Sequence, residues 1–533
     1  MTLRQALFLL HAVCLVGMAV PFALGYSYTE RLATRPSLYR VTVADKVAGP
    51  PAATRPRRAV VVVFDGLGYK EALGMRSTAI LRGRGQCWKT DVAPLSISRP
   101  VYGVLSTGLE QDRGGALVND TDAPHAAESL WEIARDAGRT VAAVSELTWW
   151  RDLFPRGFSS YQTAPRDADY FRLAPPADLL LVHPLYVDET GHTDGAGSPA
   201  YREAVARADR ELLGFLATLD LQRDFIVVTA DHGHSLGGGH GGKQDRVANV
   251  LSCFAGVGVL ARPVLAGRRM TSLAPALTLL LGLHFPTSMR AGDDELDALW
   301  ELADPDVLGA PYLAERRQAL ERFRAENRVQ VSGFWPPSGG SWTAFYAAAR
   351  GRYAARALPL GGLAALLLAV HFRGHRRLGS VSKHGRRFFF GLLWLAGFLG
   401  AAYGLQVLIR GSFDMSSIDN RHGFIRFTAA LGFVVTLAGL GLHLLLRRSP
   451  RALIWDLTML SLVGTVLCVA QPLIFGWHLG FPVPPPAIYF FPYFAALFFG
   501  TMNAVALLIG LFDFADHGWL KLAGAVELAG PEV

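Results

Sequence analysis

Three short runs limit what this chain can fold into more than any other feature. RAVVVVFDG (58–66), ADLLLVHPLYVD (177–188) and RDFIVVTADHG (223–233) are apolar almost without interruption, and each closes on an acidic residue. A continuous apolar run, rather than an alternating one, is what a parallel strand buried on both faces requires. Between the runs, 128–138 (ESLWEIARDAG) and 198–218 have helical patterning. The second opens with Ser198-Pro199, a cap followed by proline at the first helical position. Strands alternating with helices predict an α/β domain with a largely parallel central sheet flanked by helices. In such sheets chemistry gathers at the carboxyl ends of the strands, so the acidic ends Asp65, Asp188 and Asp231 are expected to face one crevice.

The rest of the chain is of another character. With 51% hydrophobic residues and a mean hydropathy of +0.26, the whole is too apolar for an ordinary soluble protein. Residues 6–25 are apolar over the ~20 positions a helix needs to cross a bilayer. Five more candidates follow at 357–372, 388–408, 427–446, 453–476 and 487–513. The first resembles a cleavable signal in its small residues near Gly25, but its length favours a retained anchor. Loops 372–387 and 447–451 are strongly basic, and basic loops stay in the cytoplasm. The expected order is an anchor at 1–25, a juxtamembrane leader at 26–57, and a globular domain at 58–300. A connector at 301–356, a five-helix membrane domain at 357–513 and a cytoplasmic tail at 514–533 complete it. Both termini then lie inside. The globular domain lies outside, in a bacterial periplasm or, in a eukaryote, the endoplasmic reticulum lumen. The formal charge of +8 is spread over loops rather than along one stripe, so no nucleic-acid partner is expected. Cys14, Cys87, Cys253 and Cys468 have no metal-ligand spacing; they argue against a disulfide framework and leave a single Cys87–Cys253 bridge open.

The candidate chemistry lies at or just beyond the strand ends. Asp65, Asp188, His192, Asp231, His232 and His240 are carboxylates and imidazoles, the donors a zinc-type ion prefers. Asp188 and His192 are four residues apart, Asp231 and His232 adjacent, and His240 sits among glycines that let the backbone approach an ion. A single strand-terminal Asp is often a turn cap and a lone His is usually solvated; six such residues at three strand ends point to metal. In PLSISRPVYGVLSTG (94–108), Ser98 precedes Pro100 and a helical pattern. Ser98 is therefore expected at a helix N-terminus, where backbone N–H groups favour a phosphate. A bound cation would activate its hydroxyl, Asn119 would donate to the phosphoryl oxygens, and Ser96 is the lesser candidate nucleophile. His125, His183 and His234 are read as background, with His234 a weak substrate contact.

These motifs make the chain resemble the nucleotide pyrophosphatase/phosphodiesterase branch of the alkaline-phosphatase superfamily, and within it the ethanolamine phosphate transferases of GPI-anchor synthesis. The matching residues are FDGLG with Asp65, Ser98-Arg99-Pro100, STG at 106–108 with Asn119 beyond it, DETGH with Asp188 and His192, and ADHGHSLGGGHGG with Asp231, His232 and His240. The resemblance covers about residues 58–290, with SLAPALTLLLGLHFP (272–286) as the closing helix. It implies two Zn2+ ions, Mn2+ being the other option. Asp188, His192 and His240 would hold one, and Asp65, Asp231, His232 and Ser98 the other. It also implies a phospholipid donor and a glycan or lipid acceptor at a membrane. The chain departs from the family at Val101-Tyr102, where Gly-His is usual, and at Asp194, where a second His is frequent. A hydrolase that hands the head group to water is the alternative. A sulfatase is disfavoured because Tyr102 stands where its motif needs arginine. A transporter or scaffold reading rests on Asp456 and Gln406 within apolar segments.

Overall fold

The computed structural model describes residues 54–92, 95–111, 127–242, 244–262, 265–287 and 293–326 as continuous stretches. Residues 9–20, 354–363, 429–434 and 461–466 are also described, together with shorter runs and single positions elsewhere. The chain divides into two compact units, one of residues 30–340 with 414–419 and one of the remainder.

The first unit is built on an eight-stranded sheet. Its strands are β1 (Arg58–Phe64), β2 (Gly85–Asp91), β3 (Val141–Ser145), β4 (Ser160–Thr163), β5 (Leu179–His183), β6 (Asp224–Ala230), β7 (Asn249–Gly256) and β8 (Leu265–Arg269). They lie in the order β4-β3-β5-β1-β6-β7-β2-β8. All neighbours are parallel except that β7 runs against both β6 and β2. The sheet is thus mixed, with five consecutive parallel strands, β4 to β6, on one side of β7. Val60, Val61, Val62 and Val63 of β1 are wholly buried, as expected of a central strand covered on both faces; burying one such side chain contributes about 1.5–3 kcal/mol. Cys87 of β2 and Cys253 of β7 are cross-strand partners and are joined by a disulfide.

Four helices bear on the site. Ser98–Thr107 (α1) is buried along its whole length. Tyr186–Asp194 (α2) follows β5. Pro199–Leu216 (α3) starts at a Ser198 cap whose hydroxyl accepts from the Tyr201 N–H. Leu273–Leu280 (α4) is the expected closing helix. One expectation needs correcting: Asp188 does not end a strand. β5 stops at His183, Pro184 follows, and Asp188 lies in the first turn of α2. Proline has no N–H to continue the ladder, so the apolar run that looked like one strand is a strand followed by a helix.

In the second unit, residues 9–20 are helical. His11 is buried there and meets Asn503 and Ser461 through its ring. Asn503 Nδ2 donates to the His11 carbonyl at 2.6 Å and Ser461 Oγ donates to Asn503 Oδ1 at 2.9 Å. Among the described residues no helix is long and apolar enough to cross a membrane; of the six apolar segments, 6–25 is described over 9–20 and the other five fall largely outside the described residues.

Candidate metal centre and nucleophile

Because β5, β1 and β6 are consecutive and parallel, their carboxyl ends open side by side. Asp65 follows β1 directly and Asp231 follows β6. Asp231 Oδ1 accepts two backbone N–H groups, from Gly66 at 3.1 Å and from His232 at 2.9 Å. Asp65 Oδ2 accepts the Tyr102 hydroxyl at 2.5 Å. The other oxygen of each carboxylate, Asp231 Oδ2 and Asp65 Oδ1, is buried and accepts no hydrogen bond. These two oxygens lie 3.3 and 3.4 Å from His232 Nε2. Leaving a buried carboxylate oxygen unsatisfied is costly, and two beside one imidazole form a donor set that fits a divalent cation.

The second cluster is made by α2 and the glycine-rich loop. His192 Nε2 is 3.4 Å from Asp188 Oδ2 and 3.1 Å from His240 Nε2, and His240 Nε2 is 3.9 Å from Asp188 Oδ1. The His232 and His240 rings stack with centroids 3.7 Å apart, which joins the clusters. Donor atoms fall within 4.8 Å of one another in the sets Asp65/Asp231/His232, Asp188/His232/His240 and Asp188/His192/His234.

Charge explains why the cavity calls for cations. Burial, then the negative charges of Asp65 and Asp188, push the Asp231 carboxyl well above the usual carboxylate range. Burial pushes Asp188 the same way, but hydrogen bonds from His192 and His234 outweigh it and hold that carboxyl well below the range. Burial lowers His232 to about 4 and His240 well below its ordinary value, so both rings are neutral ligands at neutral pH. Three crowded carboxylates with neutral imidazoles form an acidic pocket in need of positive charge.

Ser98 is the first residue of α1 and is buried. Its hydroxyl lies 3.2 Å from His232 Nε2, beside the Asp65/Asp231 pair. The Arg99 N–H, in the first turn of the helix, donates to Asn119 Oδ1 at 3.0 Å, which leaves the Asn119 amide nitrogen to donate elsewhere. Ser96, the lesser candidate, is occupied: its hydroxyl donates to the Gly242 carbonyl at 2.9 Å and accepts the Gly241 N–H at 2.8 Å. Its carbonyl also takes His240 Nδ1 at 2.7 Å, so Ser96 holds the loop that carries His240.

All eight sequence-predicted residues are thus in one region, and three that were read as background or as a departure join them. His234 is wholly buried, and its Nε2 is 2.8 Å from Asp188 Oδ1. A side chain on Gly191 would meet that ring at 2.3 Å, and one on Gly66, where φ is 74°, would meet Asp188 and His234; those glycines make the room His234 occupies. His183 ends β5 and lies 3.2 Å from Asp65 Oδ2. Tyr102 binds the same oxygen. The strand-end rule that singled out Asp65 would also have found His183, the last residue of its strand. Nothing local marks Tyr102, which reaches Asp65 only through the packing of α1.

Residues 112–248 match the family model described as type I phosphodiesterase/nucleotide pyrophosphatase. The human GPI ethanolamine phosphate transferase 3 catalytic subunit is 31% identical over 180 residues, covering 30% of this chain and 16% of that protein. The human GPI ethanolamine phosphate transferase 2 catalytic subunit is 24% identical over 310 residues, covering 52% and 30%. The matches therefore span less than a third of the length of these relatives. Among solved structures, murine ectonucleotide pyrophosphatase/phosphodiesterase 5 aligns over 46% of this chain and 100% of its own at 14% identity, with a TM-score of 0.38. A substituted alkaline phosphatase aligns over 48% and 100% at 11% identity, with a TM-score of 0.39. The resemblance read from the motifs stands: the chain carries a phosphodiesterase/nucleotide pyrophosphatase family domain, and GPI ethanolamine phosphate transferases are among its homologues.

Proposed function

We propose that this protein is a membrane-anchored enzyme that transfers a phosphodiester head group, phosphoethanolamine from phosphatidylethanolamine, to a glycan or lipid hydroxyl through an ester on Ser98. The observation that carries the reading is the Ser98 hydroxyl at a buried helix start, 3.2 Å from His232 Nε2 and beside two carboxylates that each keep one buried oxygen unsatisfied. Two Zn2+ ions, one held by Asp65, Asp231, His232 and Ser98 and one by Asp188, His192 and His240, would supply Lewis acidity and an ionised serine. The remaining work belongs to the chain. Ser98 Oγ attacks phosphorus in line, the bond to the glycerol oxygen breaks, and diacylglycerol leaves with a proton. The α1 N-terminus favours the negative phosphoryl group, and the Asn119 amide donates to its oxygens as charge builds. An acceptor hydroxyl then attacks the phosphoserine ester, loses its proton and frees Ser98.

The relatives, which are ethanolamine phosphate transferases by name, and the apolar segments that flank the globular unit support a phosphoethanolamine donor and an acceptor at a membrane. The Cys87–Cys253 bridge supports an oxidising compartment outside the cytoplasm. The buried contacts of His11 with Asn503 and Ser461 support an N-terminal helix that is retained rather than cleaved. Hydrolysis of the serine ester by water is the second reading, and the match to a phosphodiesterase family favours it.

The deciding experiment incubates head-group-labelled phosphatidylethanolamine with zinc-loaded protein in detergent, with Ser98→Ala in parallel. Diacylglycerol release by wild type alone supports the lipid donor, and the fate of the label, on an acceptor or free, separates transfer from hydrolysis. Lipid left intact by wild type rejects phosphatidylethanolamine as donor.

A further inference from the structure

Asp65 is held from behind by a hydrogen-bonded relay across the ends of three strands. β3, β5 and β1 are adjacent, and their last or next residues are Ser145, His183 and Asp65. The Leu147 N–H donates to Ser145 Oγ at 3.3 Å, and that oxygen lies 2.8 Å from His183 Nδ1. His183 Nε2 lies 3.0 Å from the Tyr102 oxygen and 3.2 Å from Asp65 Oδ2; because Tyr102 gives its own proton to Asp65, the ring proton belongs on Nε2 and Nδ1 accepts from Ser145. Tyr102 in turn donates to Asp65 Oδ2 at 2.5 Å. The relay ends on one oxygen, Asp65 Oδ2, which takes the Tyr102 hydroxyl directly and has His183 Nε2 3.2 Å away. Its twin, Asp65 Oδ1, accepts nothing.

The relay is also rigid. The Tyr102 ring stacks on Trp150 with centroids 4.1 Å apart and planes 13° from parallel, and the edge of His183 packs against both rings. Tyr102, Trp150, His183 and Ser145 are all wholly buried. We infer that Tyr102 and His183, with Ser145 donating to His183 Nδ1, are positioning residues that occupy Asp65 Oδ2 and thereby present Oδ1 alone to the cation. Hydrogen bonding of this kind to a ligating group orients it, and its loss typically weakens metal binding about 10–100-fold. Tyr102 does this work at the position where the sequence departs from the family's Gly-His. The inference rests on the metalloenzyme reading of the site.

The test is Zn2+ affinity of the full-length protein, measured by chelator competition without any substrate, for wild type and Tyr102→Phe. That substitution keeps the ring and its stacking and removes only the hydroxyl. The Asp65-side affinity is identified as the one that Asp231→Ala abolishes. The expected result is a loss of about 10-fold or more at that affinity, no change at the other, and a metal-free melting transition that stays cooperative, with His183 Nε2 3.2 Å from the freed oxygen. Ser145→Ala is expected to give a smaller loss at the same affinity. Wild-type affinities at both positions in Tyr102→Phe would overturn the inference. So would a joint weakening of both with a lower metal-free melting temperature, which would make the hydroxyl a packing element. A wild-type protein that binds no stoichiometric Zn2+ would instead remove the metalloenzyme reading itself.

Discussion

The two halves of the candidate metal centre are built by opposite means. The Asp65/Asp231/His232 half is carved into the sheet edge, with all three side chains essentially buried. The Asp188/His192/His240 half stands on a short helix and a glycine loop, with side chains 13%, 30% and 8% exposed. In the deep half, backbone N–H groups and Tyr102 take one oxygen of each carboxylate and leave the other bare. In the open half the groups already meet one another, His192 with His240 and Asp188 with His234. Strands fix the spacing of the deep donors, whereas a short helix and a glycine-rich loop leave those of the open half more freedom. The deep half is therefore expected to bind its cation more tightly, and the open half to exchange it and to face the substrate.

The largest effect should come from Ser98, which lies on the deep side. Ser98→Ala is expected to reduce head-group release on the order of a thousandfold or more while both equivalents of Zn2+ remain bound, the deep one more weakly for the loss of one of its four ligands. Release at the wild-type rate by a zinc-loaded mutant would refute the nucleophile.

Single-ligand variants then set the halves against each other. Asp231→Ala should remove one tightly held equivalent of Zn2+, because it deletes a buried donor that nothing replaces. His192→Ala should weaken only the exchangeable equivalent, because His234 lies within reach of Asp188. Equal losses of metal in both variants, measured by elemental analysis after gel filtration, would erase the distinction.

Chelation sharpens it through pH. The Asp231 value is raised in the metal-free fold, so its contribution to stability is present below the ordinary carboxylate range. That contribution is lost as pH rises through the raised value. Cations remove the loss, whereas His232, neutral down to about 4, takes up no competing proton above that. The fall in melting temperature on adding EDTA should therefore be greater at about pH 8 than at about pH 5. A fall that is equal or smaller at the higher pH would contradict the assignment.

The smallest effect is expected from Gly191→Ala. The added methyl meets the His234 ring at 2.3 Å, and relieving such an overlap costs about 1–3 kcal/mol. The open half should lose affinity severalfold and the deep half none, as read by the same competition titration.

What could be read directly from the chain was whatever a strand end or a helix start dictates. The runs at 58–66 and 223–233 end on their ligands because a two-sided parallel strand must be continuously apolar, so the first polar residues mark its carboxyl edge. Ser98 could be placed for a similar reason, since Pro100 and the apolar spacing after it set where the helix begins. The run at 177–188 misled at its end, because apolar residues serve a buried strand and the first turn of a buried helix equally well. Only Pro184 separates the two.

The tertiary structure decided which of the remaining polar residues share the crevice. Tyr102 and His183 are 81 residues apart, and His234 and Asp188 are 46 apart. Local composition carries no trace of either pairing. Strand order does, because placing β5 beside β1 brings His183 to the oxygen that Tyr102 also holds. Local sequence determined the chemistry available at each strand end, since backbone hydrogen bonding and burial act over a few residues. The partner of each group was set by sheet order and side-chain packing, which act only once distant segments are side by side.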